Sequence, residues 1–255
     1  MAAAQMVFLI AMALLGVGLL AFWIQPFAIF SLFERVTPNV IYRVRTNRRL
    51  VGLSFDDGPH PTFTPEVLEI LQRHDANATF FLIGERALRH PEVVARIKAD
   101  GHEVGNHYLM DASILGHSDA VFADYLEQTE KAIGIATRPK LFRPPGGVAW
   151  PWQLRVAQAH GYVCILGSAY ANDPMHPPVW HIRWLIEKNL VPGAIVILHD
   201  GISDPRRGIQ ALPHILASGR QKGLRFVSIG ALMRDAGEEM DAALPPERDG
   251  CEPRS

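Results

Sequence analysis

The chain has 255 residues, of which 48% are hydrophobic and 20% are charged, and its formal net charge at pH 7 is -1. This apolar content is enough for a large buried core and excludes a disordered protein. The near-neutral charge supplies no basic field for nucleic acid, and two cysteines in different settings form neither a disulfide framework nor a Cys-x-x-Cys metal site.

The N-terminal segment from Met6 to Phe33 is apolar apart from small residues and Gln25, Pro26 and Ser31. A run of this length predicts one transmembrane helix, so we assign residues 1–34 to a membrane anchor. The alternative is a buried core helix, which a run without a polar face fits poorly. Several arginines follow the run, and the positive-inside rule alone would leave the main domain in the cytoplasm.

Strand-like and helix-like segments alternate after residue 50. The predicted strands are LVGLSF (50–55), ATFFLIG (78–84), HEVGNH (102–107), KLF (140–142), YVCILGSA (162–169), GAIVILHD (193–200) and LRFVSIG (224–230). The predicted helices are TPEVLEILQRH (64–74), PEVVARIKADG (91–101), DAVFADYLEQTEKAIG (119–134), PWQLRVAQAHG (151–161), PPVWHIRWLIEKNL (177–190) and IQALPHILASGRQKG (209–223). This alternation predicts one α/β domain with a parallel sheet or barrel.

The domain boundaries follow from this pattern. Residues 35–49 are interpreted as a linker and the first part of the domain, residues 50–235 as the domain itself, and residues 236–255 as a disordered tail.

Polar residues follow five of the predicted strands, where α/β folds carry their chemistry. They are Asp56 and Asp57, His107, Arg143, Asp173, and His199 with Asp200. Each residue alone has a structural explanation, such as a helix cap, a turn, a core histidine or a surface ion pair. Together they supply acids, histidines and an orienting arginine, which are the parts of a metal-assisted hydrolase.

Asp56 and Asp57 are adjacent at the end of a strand. Neighbouring side chains on an extended backbone point to opposite sides, so the two acids are expected to serve different functions. One acid is expected to hold a group and the other to act chemically.

Three short motifs resemble those of the polysaccharide deacetylases that share the NodB homology domain, also called carbohydrate esterase family 4. LSFDDGP resembles the first motif of the family, FRPPGG the third and ILHD the fifth, and the likeness extends over roughly residues 50–230. The resemblance implies a distorted (β/α) barrel. It also implies a hydrolase that removes acetyl groups from polymers such as chitin, peptidoglycan or acetylxylan.

The resemblance also implies roles for individual residues. Asp57 and His107 correspond to metal ligands, Asp56 to the general base, Arg143 to the arginine that binds the base, His199 to the general acid and Asp173 to its partner. Pro145, Gly146, Ile197 and Leu198 fall in motifs that contact substrate, and the backbone N–H after Pro145 would face the oxyanion.

The second motif departs from the family pattern, because Asp111 stands where a second histidine is usual. We predict that residues 107–111 form a helical turn, which would bring Asp111 to the metal as the third ligand. The alternatives are that His102 or His117 replaces the missing ligand, or that Asp111 caps a helix beginning near Ser113 or Ser118.

The metal implied is a divalent ion: zinc, cobalt, manganese or magnesium. Two carboxylates and one histidine would favour the harder ions manganese and magnesium over zinc. Further departures at Gly146, Tyr170 and Pro174 alter the walls of the cleft and leave the base, its arginine, the acid and its partner in place.

The sequence therefore predicts a membrane-anchored, metal-dependent deacetylase of glycans that contain N-acetylglucosamine, namely chitin, chito-oligosaccharide or peptidoglycan. Its partners would be an acetylated glycan and the membrane, and its catalytic domain would lie outside the cytoplasm, where such polymers are found. Two alternatives remain: a metal-free or altered amidohydrolase on the same barrel, and a catalytically inactive carbohydrate-binding protein.

Overall fold

The computed structural model describes residues 34–237 together with Gln5, Met6, Met12 and Gly16. The chain divides into two compact units, residues 1–37 and residues 38–255. Apart from those single residues, the predicted anchor at 6–33 lies outside the described residues, as does the predicted tail beyond residue 237. Within the described residues, no helix combines the length and the apolar character needed to cross a membrane.

The second unit is built on one sheet in which every ladder between strands is parallel. Its strands are β1 (Val40–Ile41), β2 (Leu50–Gly58), β3 (Thr79–Leu82), β4 (Glu103–Asn106), β5 (Lys140–Phe142), β6 (Tyr162–Ile165), β7 (Ala169–Tyr170), β8 (Ile195–His199) and β9 (Arg225–Val227). Their order is β1-β6-β5-β4-β3-β2-β8-β7, and β9 pairs with the first residues of β2. The carboxyl ends of these strands therefore share one edge.

Eight helices accompany the described strands. They are α1 (Phe63–Arg73), α2 (Gly84–Arg89), α3 (Pro91–Ala99), α4 (Asp119–Ile133), α5 (Pro151–Ala159), α6 (Val179–Lys188), α7 (Arg206–Gln221) and α8 (Ile229–Asp235). The apolar faces of α1, α3, α6 and α7 pack with β2, β3 and β8 in the larger core cluster. Ser118 caps α4 by accepting a hydrogen bond from the Val121 N–H, and Gly134 ends that helix in the left-handed conformation.

The predicted parallel α/β domain is confirmed, with differences at short elements. Segment 78–84 was predicted as strand throughout, but the strand ends at Leu82 and Gly84 begins α2. Segment 224–230 was also predicted as strand throughout, but Ser228 caps α8, and its side chain accepts a hydrogen bond from the Ala231 N–H. The two-residue strands β1 and β7 are too short to produce a periodic pattern in the sequence.

Gly105 leaves the room that the ring of Phe81 needs to pack against Arg143. A Cβ at Gly105 in β4 would lie 2.7 Å from two ring carbons of Phe81, and Phe81 is fully buried. The guanidinium of Arg143 also contacts that ring, and its central carbon lies 4.1 Å from the ring centroid. The glycine therefore lets Phe81 occupy the space beneath Arg143.

Substitution of this glycine tests the packing. Gly105→Ala should lower the free energy of unfolding by about 1–3 kcal/mol, because Phe81 has no room to move in a close-packed core. The matched control is Gly116→Ala, since no atom of the described chain lies within 4 Å of a Cβ at that position. Urea unfolding of both variants measures the difference. Equal stability of the two variants would contradict the packing described for Phe81.

Candidate active site

The predicted polar residues gather at the carboxyl edge of the sheet. Asp56 and Asp57 lie in the last part of β2, His107 follows β4, Arg143 follows β5, Asp173 follows β7 and His199 ends β8. Asp56 and His199 are paired in the β2–β8 ladder, so these two residues lie side by side on neighbouring strands. Strand spacing of about 4.8 Å thus places a carboxylate next to an imidazole at this edge.

Arg143 holds Asp56 through a buried ion pair. Its Nη1 lies 2.5 Å from Asp56 Oδ1, and both side chains are almost completely buried. The same guanidinium donates to Ser54 Oγ and to the backbone carbonyls of Ile165 and Leu166. The arginine therefore has partners on several sides, which fix the direction in which it presents its charge to Asp56.

Asp57 and His107 form a second pair. Asp57 adopts a positive φ of 67°, and its Oδ1 lies 3.2 Å from His107 Nε2. His107 Nδ1 lies 2.8 Å from the backbone carbonyl of Arg143 and donates a hydrogen bond to it. Burial opposes ionisation of Asp57, but the hydrogen bond and charge of His107 prevail and lower the pKa of this carboxyl to about 2. The site therefore presents a carboxylate and an imidazole nitrogen to one point.

Asp173 orients His199 at the other side of the site. Its Oδ1 accepts a hydrogen bond of 2.9 Å from His199 Nδ1, and its Oδ2 accepts one of 3.0 Å from the His199 backbone N–H. Burial alone would lower the pKa of His199, but the charge of Asp173 and its hydrogen bond, with Asp56 and Asp57 nearby, raise that pKa to about 9. His199 is consequently an imidazolium at neutral pH.

The structure does not bring Asp111 to the Asp57–His107 pair. The helical turn predicted for residues 107–111 is wrong: this segment is not helical, and Tyr108 has a positive φ of 73°. The Asp111 carboxylate lies 2.8 Å from Arg86 Nη2, and its side chain is 57% exposed. Neither does Asp111 cap α4, since Ser118 has that position.

Arg86 is a contact of the site that the sequence analysis missed. Its Nη1 donates to the backbone carbonyls of both Asp57 and Gly201, so it links the end of β2 to the segment after β8. It lies in α2, a helix of six residues; only its first residue, Gly84, was assigned from the sequence, as the end of a strand. A segment so short shows too little periodicity to identify the helix or its inward-facing arginine.

The two histidines considered as substitute ligands are engaged elsewhere. His117 Nδ1 lies 2.7 Å from the Tyr108 hydroxyl, and its ring stacks on that buried tyrosine. His102 precedes β4, at the opposite edge of the sheet, and its Nδ1 accepts from the Ala78 N–H. Among the described residues, no three His, Cys, Asp or Glu side chains are grouped so that they could hold a metal ion.

Of the predicted substrate-binding residues, some lie at the edge of the site and one lies in the core. Pro145 and Gly146 form a 3₁₀ turn directly after Arg143, at the edge of the site. Ile197 is half-buried in β8 and lies against Gly167. Leu198 is 1% exposed and packs in the larger core cluster, so the structure does not bring it to the site surface.

Asp200 is a further buried acid that the mechanism implied by the motifs does not use. Its Oδ2 accepts a hydrogen bond of 2.5 Å from Thr64 Oγ1, and its backbone N–H donates to the Asp56 carbonyl. Its Oδ1 is the one buried side-chain polar atom without a hydrogen-bond partner in the described part of the chain. Burial and, less strongly, the charges of Asp57 and Asp56 raise the pKa of Asp200 to about 7, against the opposing hydrogen bond from Thr64.

The Asp57–His107 pair fits part of a divalent metal site. A carboxylate oxygen and the imidazole nitrogen opposite it converge at 3.2 Å, and the hydrogen bond from His107 Nδ1 to a carbonyl fixes the ring. This combination of oxygen and nitrogen donors, with one histidine oriented by a backbone carbonyl, is common in zinc and related sites. The structure therefore brings two of the predicted ligand side chains together, and the predicted third is not with them.

Comparison with known proteins gives one family. The family model "Polysaccharide deacetylase" matches residues 43–165. A peptidoglycan-N-acetylglucosamine deacetylase of Bacillus cereus is 37% identical over 201 residues, which are 78% of this chain and 94% of that protein. A chitooligosaccharide deacetylase of Bradyrhizobium sp. is 36% identical over 156 residues, which are 60% of this chain and 71% of that protein.

A solved structure gives the same result for the fold. The family 4 acetyl xylan esterase of Clostridium thermocellum, solved in complex with a cobalt ion, superposes with a TM-score of 0.70 at 28% identity, over 75% of this chain and 93% of that one.

The raised pKa of Asp200 predicts a pH dependence of stability. The folded protein binds this proton more tightly than the unfolded chain, in which the carboxyl has its ordinary pKa near 3.8. The stabilisation is therefore complete below pH 3.8 and is lost as the pH rises towards 7. Since each tenfold change in proton affinity is about 1.4 kcal/mol, the loss is on the order of 4 kcal/mol.

Asp200→Asn cannot ionise and should lack this loss. Urea unfolding should show that the free energy of unfolding of wild type, minus that of Asp200→Asn, decreases as the pH is raised from 4.5 to 7.5. Asp204→Asn, which changes an exposed carboxylate, serves as the control and should keep the wild-type pH dependence. A pH-independent difference between wild type and Asp200→Asn would show that Asp200 is ionised throughout.

Proposed function

Because the chain belongs to the polysaccharide deacetylases of carbohydrate esterase family 4 and is a hydrolase of that family, we propose that it removes acetyl groups from glycans containing N-acetylglucosamine. The observation that carries this proposal is the pairing of two differently held groups on neighbouring strands. Asp56 is fixed by Arg143, and His199 is fixed by Asp173. An oriented carboxylate beside an oriented imidazolium supplies a general base and a general acid for hydrolysis of one amide bond.

Asp56 is the general base of the proposed reaction. Its carboxylate accepts a proton from the attacking water as the water oxygen bonds to the acetyl carbonyl carbon. The hydrogen bond from Arg143 Nη1 to Asp56 Oδ1 fixes the direction of the carboxylate. Arg143 also donates hydrogen bonds to Ser54 and to two backbone carbonyls, and these hold the guanidinium in place beside Asp56.

His199 is the general acid. Its Nδ1 is committed to Asp173, so the proton on Nε2 is the one available for transfer. That proton goes to the amide nitrogen as the carbon–nitrogen bond breaks, and the products are acetate and a free amine. With a pKa raised to about 9, His199 holds this proton at neutral pH before substrate arrives.

Asp57 and His107 would hold a divalent cation beside these groups. When bound, such an ion polarises the acetyl carbonyl and increases the acidity of water. The backbone N–H of Gly146, which follows Pro145, is proposed to face the oxyanion of the tetrahedral intermediate. Zinc, cobalt, manganese and magnesium are all candidates, and Asp111 would join as a ligand only if its ion pair with Arg86 opens.

The substrate class is proposed from the named relatives. One is named for N-acetylglucosamine in peptidoglycan and the other for chitooligosaccharide, and these glycans share a β-linked, N-acetylated hexosamine. We favour peptidoglycan, because the relative named for it matches a larger share of this chain than the relative named for chitooligosaccharide.

Acetate release tests the proposed function. Wild-type protein should release acetate from peptidoglycan or N-acetylglucosamine oligomers, and a chelator should suppress the release until a divalent ion is returned. Asp56→Asn and His199→Ala should each lose about 10² to 10⁴ in turnover, because each lacks one proton transfer. Glycan binding without acetate release by wild type would indicate a catalytically inactive carbohydrate-binding protein. Turnover in metal-free protein would indicate a metal-independent amidohydrolase.

We further propose that residues 6–33 anchor the chain in a membrane, with the catalytic domain outside the cytoplasm. Polymeric N-acetylated glycans lie outside the cytoplasm, and this consideration outweighs the arginines that follow the apolar run. External protease should digest the domain in cells whose outer barriers have been removed and whose cytoplasmic membrane is intact. Digestion only after that membrane is lysed would place the domain in the cytoplasm and contradict the proposal.

A further inference from the structure

An exposed apolar surface lies beside the candidate active site, and none of the proposed proton transfers uses it. It consists of Leu115, Val148 and Trp150, which are 37%, 56% and 50% exposed, and we call it the tryptophan platform. Leu115 belongs to the loop after β4, which begins with His107, and the other two residues follow Arg143 after β5. Because β4 and β5 are neighbours in the sheet, both loops leave the edge that carries the site.

The platform is held in place by hydrogen bonds. Trp150 Nε1 donates to the Leu115 carbonyl over 3.2 Å, and the Trp150 backbone N–H donates to Gln153 Oε1 over 2.8 Å. Buried Gln153 in turn donates to the Ile114 carbonyl over 2.6 Å. The two loops are thereby joined, and the indole has little freedom left to lose when a ligand binds.

A glycine turn connects the platform to the site. Gly146 has a positive φ of 66°, and no atom of the described chain lies within 4 Å of the place where its Cβ would be. The chain from Arg143 to the platform therefore presents a glycine turn with open space above it. A ligand that occupies the site can extend over this turn to Trp150 without meeting a side chain at Gly146.

We propose that the tryptophan platform binds the sugar ring next to the unit that is deacetylated, by stacking of the indole against the apolar face of the ring. This inference rests on the function proposed above and names a specificity-determining contact for it. The occupant is a hexosamine ring of the same glycan strand. Such a ring presents C–H groups on one face, and the three platform side chains are uncharged and apolar, so the two surfaces match in chemistry.

The test compares substrates of different length. For the full-length protein, kcat/KM is measured on N-acetylglucosamine, which has no neighbouring ring, and on its disaccharide, and the readout is the disaccharide value divided by the monosaccharide value. Trp150→Ala should lower this ratio about tenfold, which is the size expected for loss of one well-packed aromatic contact. Trp150→Phe keeps an aromatic face and should recover most of the ratio. Trp184→Ala is the matched control, because Trp184 is 45% exposed and lies further along α6, next to Lys188 in the last turn of that helix.

An unchanged ratio in Trp150→Ala would overturn the proposal, and so would equal losses on both substrates, since the latter indicates a structural role. A lowered ratio in Trp184→Ala as well would overturn it, because the effect would then not be specific to the platform. An unchanged ratio together with loss of a dimer in sedimentation would assign the platform to a second copy of the chain.

Calorimetric binding of the tetrasaccharide keeps this test separate from the proposed activity. Weaker binding by Trp150→Ala than by wild type supports the platform even if wild type releases no acetate. Equal binding by the two proteins overturns it.

Discussion

The contact between Arg143 and Asp56 is the constraint on which the rest of the site depends. Arg143 follows β5 and Asp56 lies in β2, with β4 and β3 between them in the sheet. In a flat sheet, three strand spacings of about 4.8 Å would separate these positions by roughly 14 Å, yet their charged atoms lie 2.5 Å apart. The sheet must therefore curl, and the curl brings the ends of distant strands into one cleft. Loss of one partner would leave an unpaired charge in the interior, which typically costs about 3–5 kcal/mol.

Two adjacent acids can serve different purposes because their backbones and partners differ. Asp56 remains in register with His199 and receives an arginine from inside the curled sheet. Asp57 has left the extended conformation, with its positive φ, and meets His107 instead. Arg86 and Gly201 support this turn, since Arg86 donates to the Asp57 carbonyl and a Cβ at Gly201 would lie only 1.8 Å from the same oxygen. The different surroundings of the two acids thus have a local structural cause.

The longer elements and most of the candidate site could be predicted from the sequence, because strands bordered by glycine and proline place polar residues at one edge. All six predicted residues lie in the last part of a strand or after its end, and the structure brings them to the carboxyl edge of the sheet: Asp56, Asp57, His107, Arg143, Asp173 and His199. The position of Asp111 could not be predicted in this way. A four-residue spacing places side chains together only on a helix, and the buried Tyr108 adopts a positive φ that prevents one. Contacts between residues distant in sequence, such as Thr64 with Asp200 and Arg86 with Gly201, depend on the closed fold and leave no local pattern.

The division of roles proposed for the two acids is that Asp57 holds a cation while Asp56 accepts a proton from water. Calorimetric titration of zinc into metal-free full-length protein tests it directly, with Asp56→Asn and Asp57→Asn as isosteric variants and circular dichroism to verify their folding. Asp57→Asn should bind zinc about tenfold more weakly than wild type, or weaker still. Asp56→Asn should keep a zinc affinity close to that of wild type, because its amide oxygen can still accept a hydrogen bond from Arg143. An equal loss of affinity in both variants, or a loss only in Asp56→Asn, would contradict the division of roles between the two acids.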